Sequence, residues 1–196
     1  MREASLTRKT KETDIELKIN LDQNNGYEIQ TGIGFLNHML ELFAFHSGIS
    51  LMVKCNGDLD VDGHHSVEDI GILLGKAINE ALRDKKGINR YGDSFLPMDE
   101  TLAHCSLDLS GRPFLVFNVV LPSQKVGEFE TELTEEFFRA VAFNSGMTLH
   151  LNLEYGKNTH HIIEALFKSF GKSFKNAIKI NEENKDKIMS SKGVIE

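Results

Sequence analysis

Residues 63–69 read Gly-His-His-Ser-Val-Glu-Asp, and the core of this stretch recurs 96 residues later, where residues 159–164 read Thr-His-His-Ile-Ile-Glu. On a helix, a carboxylate that follows two adjacent histidines by three and four residues lies close to both imidazoles. The two imidazoles themselves diverge by about 100° around the helix axis. Each histidine of a pair is therefore predicted to serve a different metal ion, and each copy to contribute to two metal sites.

The repeat extends beyond these two motifs. Further matches at offsets of 96 and 98 residues include Gly75 with Gly171, Ala81 with Ala177 and Gly48 with Gly146. A single His-His-x-x-Glu more often reflects solvated or capping side chains, so the duplication is what favours metal binding. The chain is predicted to contain two copies of one half-domain, residues 1–90 and residues 91–196.

The register of the repeat adds two candidate ligands outside the motifs. His38 lies ten residues before Gly48, and Glu136 lies ten residues before Gly146. Taken alone, His38 would be a partly buried helix histidine and Glu136 a charge near a helix start. Their equivalence favours a metal role for both. The predicted ligands are enough for two ions with four protein ligands each: His38, His64, His65, Glu68, Glu136, His160, His161 and Glu164.

Composition restricts the class of protein. The 196 residues are 40% hydrophobic and 26% charged, which is typical of a globular domain. The net charge of −7 argues against a nucleic-acid surface, and no apolar run approaches the roughly 20 residues of a membrane span. Cys55 and Cys105 lack C-x-x-C spacing and are interpreted as reduced core residues. The N-terminal residues lack the apolar core of a signal peptide, so a cytoplasmic protein is expected.

Hydrophobic periodicity predicts an α+β fold in which helices pack on one face of mainly antiparallel sheets. Strands are predicted over residues 14–21, 27–31, 49–55, 59–61, 102–109, 114–121 and 147–153. Helices are predicted over residues 35–46, 64–83, 134–143 and 160–180. Asn24-Asn25-Gly26 is interpreted as a hairpin turn, and residues 85–92 as a basic linker between the halves.

The candidate ligands suit a catalytic metal. Imidazole and carboxylate groups bind Mn, Fe, Co, Ni or Zn, and the lack of thiolate ligands argues against a purely structural zinc site. Three imidazoles and one carboxylate leave positions open for substrate on an ion that prefers six ligands. Several basic and hydroxyl side chains offer donors for a phosphate, although each alone is more often a surface group: Arg90, Arg112, Lys168, Ser190, Ser191 and Lys192.

Separated motifs, in register from about Arg8 to the C-terminus, resemble the imidazoleglycerol-phosphate dehydratase family of histidine biosynthesis. They are residues 34–40 (Gly-Phe-Leu-Asn-His-Met-Leu), both His-His-x-x-Glu motifs, residues 90–93 (Arg-Tyr-Gly-Asp), residues 108–113 (Asp-Leu-Ser-Gly-Arg-Pro) and residues 190–194 (Ser-Ser-Lys-Gly-Val). The resemblance implies a monofunctional enzyme with a duplicated fold like domain 2 of ribosomal protein S5. It also implies two manganese ions per active site and a homo-oligomer of trimers assembled into an octahedral 24-mer, with metals between subunits.

The resemblance further implies roles for single residues. The six phosphate candidates would hold the substrate phosphate, and Glu12 would contact the reacting glycerol. Many family members have histidine at the position of Glu136, a difference that would alter metal preference.

The implied reaction converts D-erythro-imidazoleglycerol phosphate to imidazoleacetol phosphate and water. Its proton leaves a carbon that has no adjacent carbonyl, so simple enolate chemistry does not apply. We hypothesise that a metal-bound imidazolate expels the hydroxyl, with Glu12, Glu68 and Glu164 as the candidate catalytic carboxylates. Two alternatives are a hydrolase that uses a metal-activated water and a non-catalytic assembly whose metals only join subunits.

Overall fold

A computed structural model describes residues 1–195, which form two four-stranded sheets, a short hairpin and four long helices. The first half contains β1 (Glu3–Lys9), β2 (Thr13–Asn20), β3 (Tyr27–Gln30), α1 (Gly34–Ser47), β4 (Ser50–Gly57) and α2 (His64–Leu82). The second half contains β5 (Tyr91–Met98), β6 (Thr101–Asp108), β7 (Phe114–Asn118), the hairpin β8 (Lys125–Val126) and β9 (Phe129–Glu130), α3 (Leu133–Ser145), β10 (Thr148–Tyr155) and α4 (Thr159–Ile178). The predicted α+β class is confirmed.

The two sheets repeat one topology. Their strand orders are β1-β2-β4-β3 and β5-β6-β10-β7, so each strand of the first sheet has a counterpart in the second. In each sheet the first three strands pair antiparallel, and the fourth pairs parallel with its neighbour. The internal duplication predicted from the sequence is therefore present in the fold.

Helix packing repeats as well, down to single contacts. α2 packs on α3, and α4 packs on α1. A Cβ atom at Gly75 would lie 2.7 Å from the carbonyl oxygen of Val141, and one at Gly171 would lie 3.0 Å from that of Phe43. These two pairs occupy equivalent positions in the repeat. Glycine at both positions allows the helices of opposite halves to approach closely.

A phenylalanine cluster holds the helices together. Phe43 of α1 stacks on Phe170 of α4 with ring centroids 4.9 Å apart, and Phe138 of α3 lies 4.7 Å from Phe167 of α4. All four rings are buried. Because α4 contacts both α1 and α3 through these rings, the cluster fixes the position of α4 relative to both helices.

Three local predictions were wrong. β1 and β5 were not predicted, and β5 begins inside the segment interpreted as a linker. The predicted hairpin at residues 24–26 does not form, because β3 pairs parallel with β4 and β4 lies between β2 and β3. Residues 59–61 form a turn rather than a strand; Leu59 and Val61 are both exposed, so their alternation marks no buried face.

The boundary predicted between the halves stays a prediction, although the first sheet ends at Gly57 and the second begins at Tyr91. The C-terminal segment packs back on the connection between the sheets, where Lys86 bridges Ile188 and Ile88 bridges Ile180. Glu196, the last residue of the predicted second half, lies outside the described residues. Within residues 1–195, no helix combines the length and apolar character needed to cross a membrane.

Candidate active site

Both histidine pairs lie in the first turn of a long helix. The carboxylate of Asp62 accepts a hydrogen bond from the backbone of His64, and the side chain of Asn158 accepts bonds from the backbones of His160 and His161. These caps satisfy helix N–H groups that have no partner within the helix. The rings of the first pair are inclined at 84° with centroids 6.4 Å apart, and those of the second pair at 80° and 6.2 Å. The ring planes of each pair are therefore close to perpendicular, and the assignment of the two imidazoles to different ions stays a prediction.

One metal-ligand group is assembled within the chain. The ligand atoms of His38, His160 and Glu164 all lie within 4.8 Å of one another, and in the described part of the chain no other group of three or more His, Cys, Asp or Glu side chains is as close. Glu164 Oε2 lies 3.1 Å from His160 Nε2 and 3.5 Å from His38 Nε2. The triad joins α1 of the first half to α4 of the second half.

Glu164 is prepared to act as an anionic ligand. Its burial opposes ionisation, but the hydrogen bond and charge of Lys168, together with His160, hold the pKa of the Glu164 carboxyl below its ordinary value. Lys168 Nζ lies 2.5 Å from Oε1, whereas both histidines face Oε2. The carboxylate therefore stays charged while one of its oxygens faces two imidazoles.

The second histidine of each pair is held by a carboxylate through Nδ1. His65 Nδ1 lies 3.0 Å from Asp58, and His161 Nδ1 lies 2.7 Å from Glu100. These bonds raise the pKa of each histidine, and the bond from His161 is the main reason why the pKa of Glu100 falls to about 2. In both imidazoles Nε2 is the nitrogen left for a metal ion, because a carboxylate that holds Nδ1–H fixes the ring tautomer and orientation.

The remaining predicted ligands are not brought together within one chain. Glu136 lies on α3 near Arg139, with 3.9 Å between Oε2 and Nε. Among residues 1–195, Glu136, His64 and Glu68 belong to no group of three ligand atoms that all lie within 4.8 Å of one another. The structure thus unites three of the predicted ligands and leaves the others outside any such group, with His64, His65 and Glu68 on α2, Glu136 on α3 and His161 beside the triad on α4.

The phosphate candidates converge on a different part of the molecule. A cavity of about 620 Å³ is lined by Arg90, Arg112, Ser190, Ser191 and Lys192, all predicted to hold phosphate. Lys168 lies elsewhere, beside Glu164. The cavity brings three cationic side chains and two hydroxyls to one place, a combination suited to an anion.

Asp108 and the C-terminal segment hold Arg90 in this cavity. Arg90 donates from Nε and Nη2 to the two oxygens of Asp108 at 2.7 and 3.0 Å, and from Nη1 to the carbonyl of Met189 at 2.8 Å. Arg112 is two-thirds exposed and lies 3.9 Å from Asp108. One guanidinium is therefore fixed by the fold, while the other remains available to a ligand.

Glu12 lies in the turn between β1 and β2, on the same side of the molecule as His65. Its Oε1 is 3.8 Å from His65 Nε2, and half of its side chain is exposed. The carbonyl of Glu12 accepts a hydrogen bond from the backbone of Asp58, which also holds His65. A free carboxylate thus stands next to the imidazole nitrogen left open for a metal.

A groove of about 800 Å³ borders the triad. His38 lines it together with residues of the loop before α2 and of the β8–β9 hairpin. The triad is therefore reached from the surface through His38, while Glu164 stays buried.

Comparison with known proteins decides the family. The family model described as imidazoleglycerol-phosphate dehydratase matches residues 31–174. The imidazoleglycerol-phosphate dehydratases of Listeria monocytogenes (serotype 4a, strain HCC23) and Streptococcus sanguinis (strain SK36) are 60% and 58% identical, over the full length of both chains. The chain belongs to the imidazoleglycerol-phosphate dehydratase family. As a member of this family it is a dehydratase of histidine biosynthesis, a hydro-lyase.

Solved structures of the family have the same fold. The Staphylococcus aureus imidazoleglycerol-phosphate dehydratase is 47% identical, with a TM-score of 0.84 over 91% of this chain and 99% of that one. The Pyrococcus furiosus enzyme, solved in complex with (S)-C348, is 36% identical, with a TM-score of 0.83 over 96% and 99%. The duplicated fold expected from the family resemblance is confirmed by these neighbours.

Two carboxylates of the site in this family member were not predicted from the sequence. Asp58 and Glu100 lie in turns, seven and 61 residues before the histidines they hold. Both lie outside the helices and strands, so no hydrophobic periodicity marks them. The one available signal was general, since metal-ligating histidines usually donate their second ring N–H to a carboxylate, carbonyl or water.

Proposed function

We propose that this chain converts D-erythro-imidazoleglycerol phosphate to imidazoleacetol phosphate and water, with two manganese ions in each active site. The observation that carries the proposal is the triad of His38, His160 and Glu164, assembled from both halves around a carboxylate that is held ionised. The names of relatives that match the whole chain support the substrate.

The donor set fits manganese. Nitrogen and oxygen donors without thiolate suit a divalent ion of intermediate hardness, and Glu164 supplies a negative charge where two imidazoles face it. The ions would be held by His38, His64, His65, Glu68, Glu136, His160, His161 and Glu164. When bound, they would supply Lewis acidity that favours loss of the proton from the substrate imidazole.

The separation of these ligands in one chain supports an assembly in which neighbouring copies complete each site. Exposed aromatic rings also support such contacts: Phe45 on α1 is 63% exposed, and its counterpart in the repeat, Phe143 on α3, is 52% exposed. We infer trimers that assemble into an octahedral 24-mer, as the family resemblance implies. The two free cysteines are consistent with the cytoplasm as the site of this assembly.

The substrate phosphate would occupy the cavity that contains Arg90, Arg112 and the serine-rich tail. Arg90 is already oriented by Asp108, so it need not be ordered by the ligand. Arg112 is free to form a charge-assisted bond. Lys168 stabilises the ionised triad carboxylate instead, which gives it a role on the metal side of the site.

Glu12 is the carboxylate best placed to move a proton. Dehydration removes the hydroxyl from the carbon attached to the ring and a proton from the next carbon, and the enol that results becomes the ketone. The strand registers make Glu12 the counterpart of Glu100 in the second half. Glu100 is engaged with His161, whereas in the first half Asp58 holds His65 and Glu12 is left free. A free carboxylate beside the site can accept the proton.

The proposal is tested with metal-stripped protein and imidazoleglycerol phosphate. Turnover is followed by the absorbance of the ketone product after alkali, before and after manganese is added back. Restoration of product by manganese is the expected result. Confirmed uptake of manganese without formation of the ketone would refute the proposed reaction.

A further inference from the structure

The two halves differ at one contact between the sheet and the histidine-bearing helix that the fold itself does not explain. Arg8 on β1 pairs across the sheet with Ile15, and Leu96 on β5 pairs equivalently with Ala103. Asp69 follows the first His-His-x-x-Glu motif, and Ala165 follows the second. The first half therefore has arginine and aspartate where the second half has leucine and alanine.

The charged residues of the first half contact each other. Arg8 Nη2 lies 2.8 Å from Asp69 Oδ1, and the side chain of Asp69 is 7% exposed. The second oxygen of Asp69 accepts a hydrogen bond from Thr13 Oγ1 at 2.6 Å. Both Arg8 and Thr13 flank the turn that contains Glu12. Asp69 therefore connects helix α2 to both sides of that turn.

The turn is braced from within as well. Thr10 Oγ1 accepts hydrogen bonds from the backbone N–H groups of Glu12 and Thr13, at 3.1 and 3.0 Å. The backbone of Glu12 is thus fixed to Thr10, and Thr13 is fixed to Asp69. Because Asp69 directly follows Glu68 and lies one turn after His65, the chain of contacts ends at the metal-ligating face of α2.

Stability alone gives a weak reason for this arrangement. Asp69 is buried and the Arg8 side chain is 31% exposed, so the ion pair must offset the desolvation of a buried charge and a partly buried one. Well-packed apolar residues of similar volume are often as stable or more stable. The second half supplies that comparison within the same molecule, since Leu96 and Ala165 are both buried in an equivalent sheet and helix. The pair is thus associated with a difference between the glutamates of the two halves: Glu12 is free, whereas its counterpart Glu100 is engaged with His161. The free carboxylate near His161 Nε2 in the second half is that of Asp99, the residue before Glu100.

We propose that Arg8 and Asp69 are positioning residues that hold the Glu12 turn against the N-terminal end of α2. The inference rests on the proposed role of Glu12 in proton transfer. Asp69 acts through Thr13 and Arg8 and touches neither substrate nor metal in this arrangement. Its effect is to keep the Glu12 carboxylate at one distance from His65.

The test replaces the pair with that of the second half, in the manganese-loaded assembly. R8L/D69A is expected to lower kcat on the order of 10- to 100-fold, because misplacement of a reacting group by about 1 Å costs that much. KM should change by less than about threefold, since the phosphate cavity is untouched. Manganese content and the size of the assembly should match those of the unsubstituted protein.

A double-mutant cycle shows whether the pair acts through Glu12. If E12Q lowers kcat and R8L/D69A adds no further loss in that background, the positioning role is supported. If the two losses multiply, the pair acts independently of Glu12 and the inference is overturned. If E12Q lowers kcat but R8L/D69A keeps full turnover, the inference is overturned while the proposed function stands. If E12Q itself turns over normally, the proposed role of Glu12 falls, and the inference with it.

Two further variants separate positioning from folding. T13V removes the hydrogen bond to Asp69 and the 3.2 Å hydroxyl contact with Thr10 but keeps the ion pair, so it should lower kcat with unchanged assembly even if R8L/D69A folds poorly. K9Q/D14N removes the exposed ion pair beside the same turn and serves as the matched control, with unchanged kcat expected. Unchanged kcat in T13V, or an equal loss in K9Q/D14N, would overturn the inference.

Discussion

Glu12 and Glu100 occupy equivalent positions in the repeat, and we expect their amide variants to fail in different ways. Glu100 contacts His161 Nδ1 at 2.7 Å, whereas Glu12 makes no contact with His65 Nδ1, which Asp58 holds instead. E100Q should weaken manganese binding by about 10- to 100-fold, the usual cost of losing the partner of a metal-ligating histidine. E12Q should bind manganese normally and lose turnover.

The effect of E100Q should depend on pH in a direction that the electrostatics determine. The carboxylate of Glu100 raises the pKa of His161, so protons compete with metal for the imidazole at a higher pH than usual. E100Q lowers that pKa toward its ordinary value and reduces the competition. The loss of manganese affinity should therefore be larger at about pH 8, where protons compete less, than at about pH 6, nearer the ordinary histidine pKa.

The measurement is a manganese titration of metal-stripped protein by electron paramagnetic resonance, at both pH values, with turnover measured at saturating manganese. E100Q should recover most of its kcat once the metal is saturating, and E12Q should not. D58N serves as the matched variant of the first half and should behave like E100Q. Normal affinity in E100Q at pH 8, or loss of manganese from E12Q, would refute the division of roles between the two carboxylates.

Three other substitutions address the phosphate cavity, the helix layer and the triad. R112A removes a charge-assisted bond worth about 1.5–3 kcal/mol and should raise KM by roughly 10- to 100-fold in steady-state assays, with a smaller change in kcat. G75A places a Cβ 2.7 Å from the carbonyl of Val141 and should destabilise the fold by about 1–3 kcal/mol in calorimetry, whereas G34A, with no atom within 4 Å of its Cβ, should be neutral. K168M removes the hydrogen bond that keeps the Glu164 pKa low, so manganese binding should weaken more at about pH 6 than at about pH 8.

The sequence predicted the helices better than the strand pairing. The ends of α1 and α3 depend on local signals, and Gly48 and Gly146 adopt the left-handed conformation expected of a helix-terminating glycine, with φ of 71° and 69°. Pairing is not local. Asn24-Asn25-Gly26 correctly marked a reversal, but the partner of β3 is β4, which follows only after α1. No periodicity in the strands themselves contains that information.

The same difference between local and non-local information applies to the candidate site. His38, His160 and Glu164 were predicted because the repeat places them in register, and α1–α4 packing brings them together. The phosphate candidates converge because the tail returns to Arg90 through the carbonyl of Met189. Asp58, Glu100 and Asp69 were missed, since their roles depend on turns and buried contacts that have no fixed spacing from the motifs.

Loop length explains why the equivalent residues Glu12 and Glu100 differ in their contacts. The connection from β4 to α2 comprises residues 58–63, whereas that from β10 to α4 comprises only residues 156–158. The longer loop supplies Asp58 to His65. The shorter loop supplies no carboxylate, and its backbone N–H groups at Lys157 and Asn158 donate to Glu100 instead, which fixes that side chain against His161. Glu100 is thus held in place by the loop, and Glu12, which has no equivalent contact, is the carboxylate to which we assign the proton transfer.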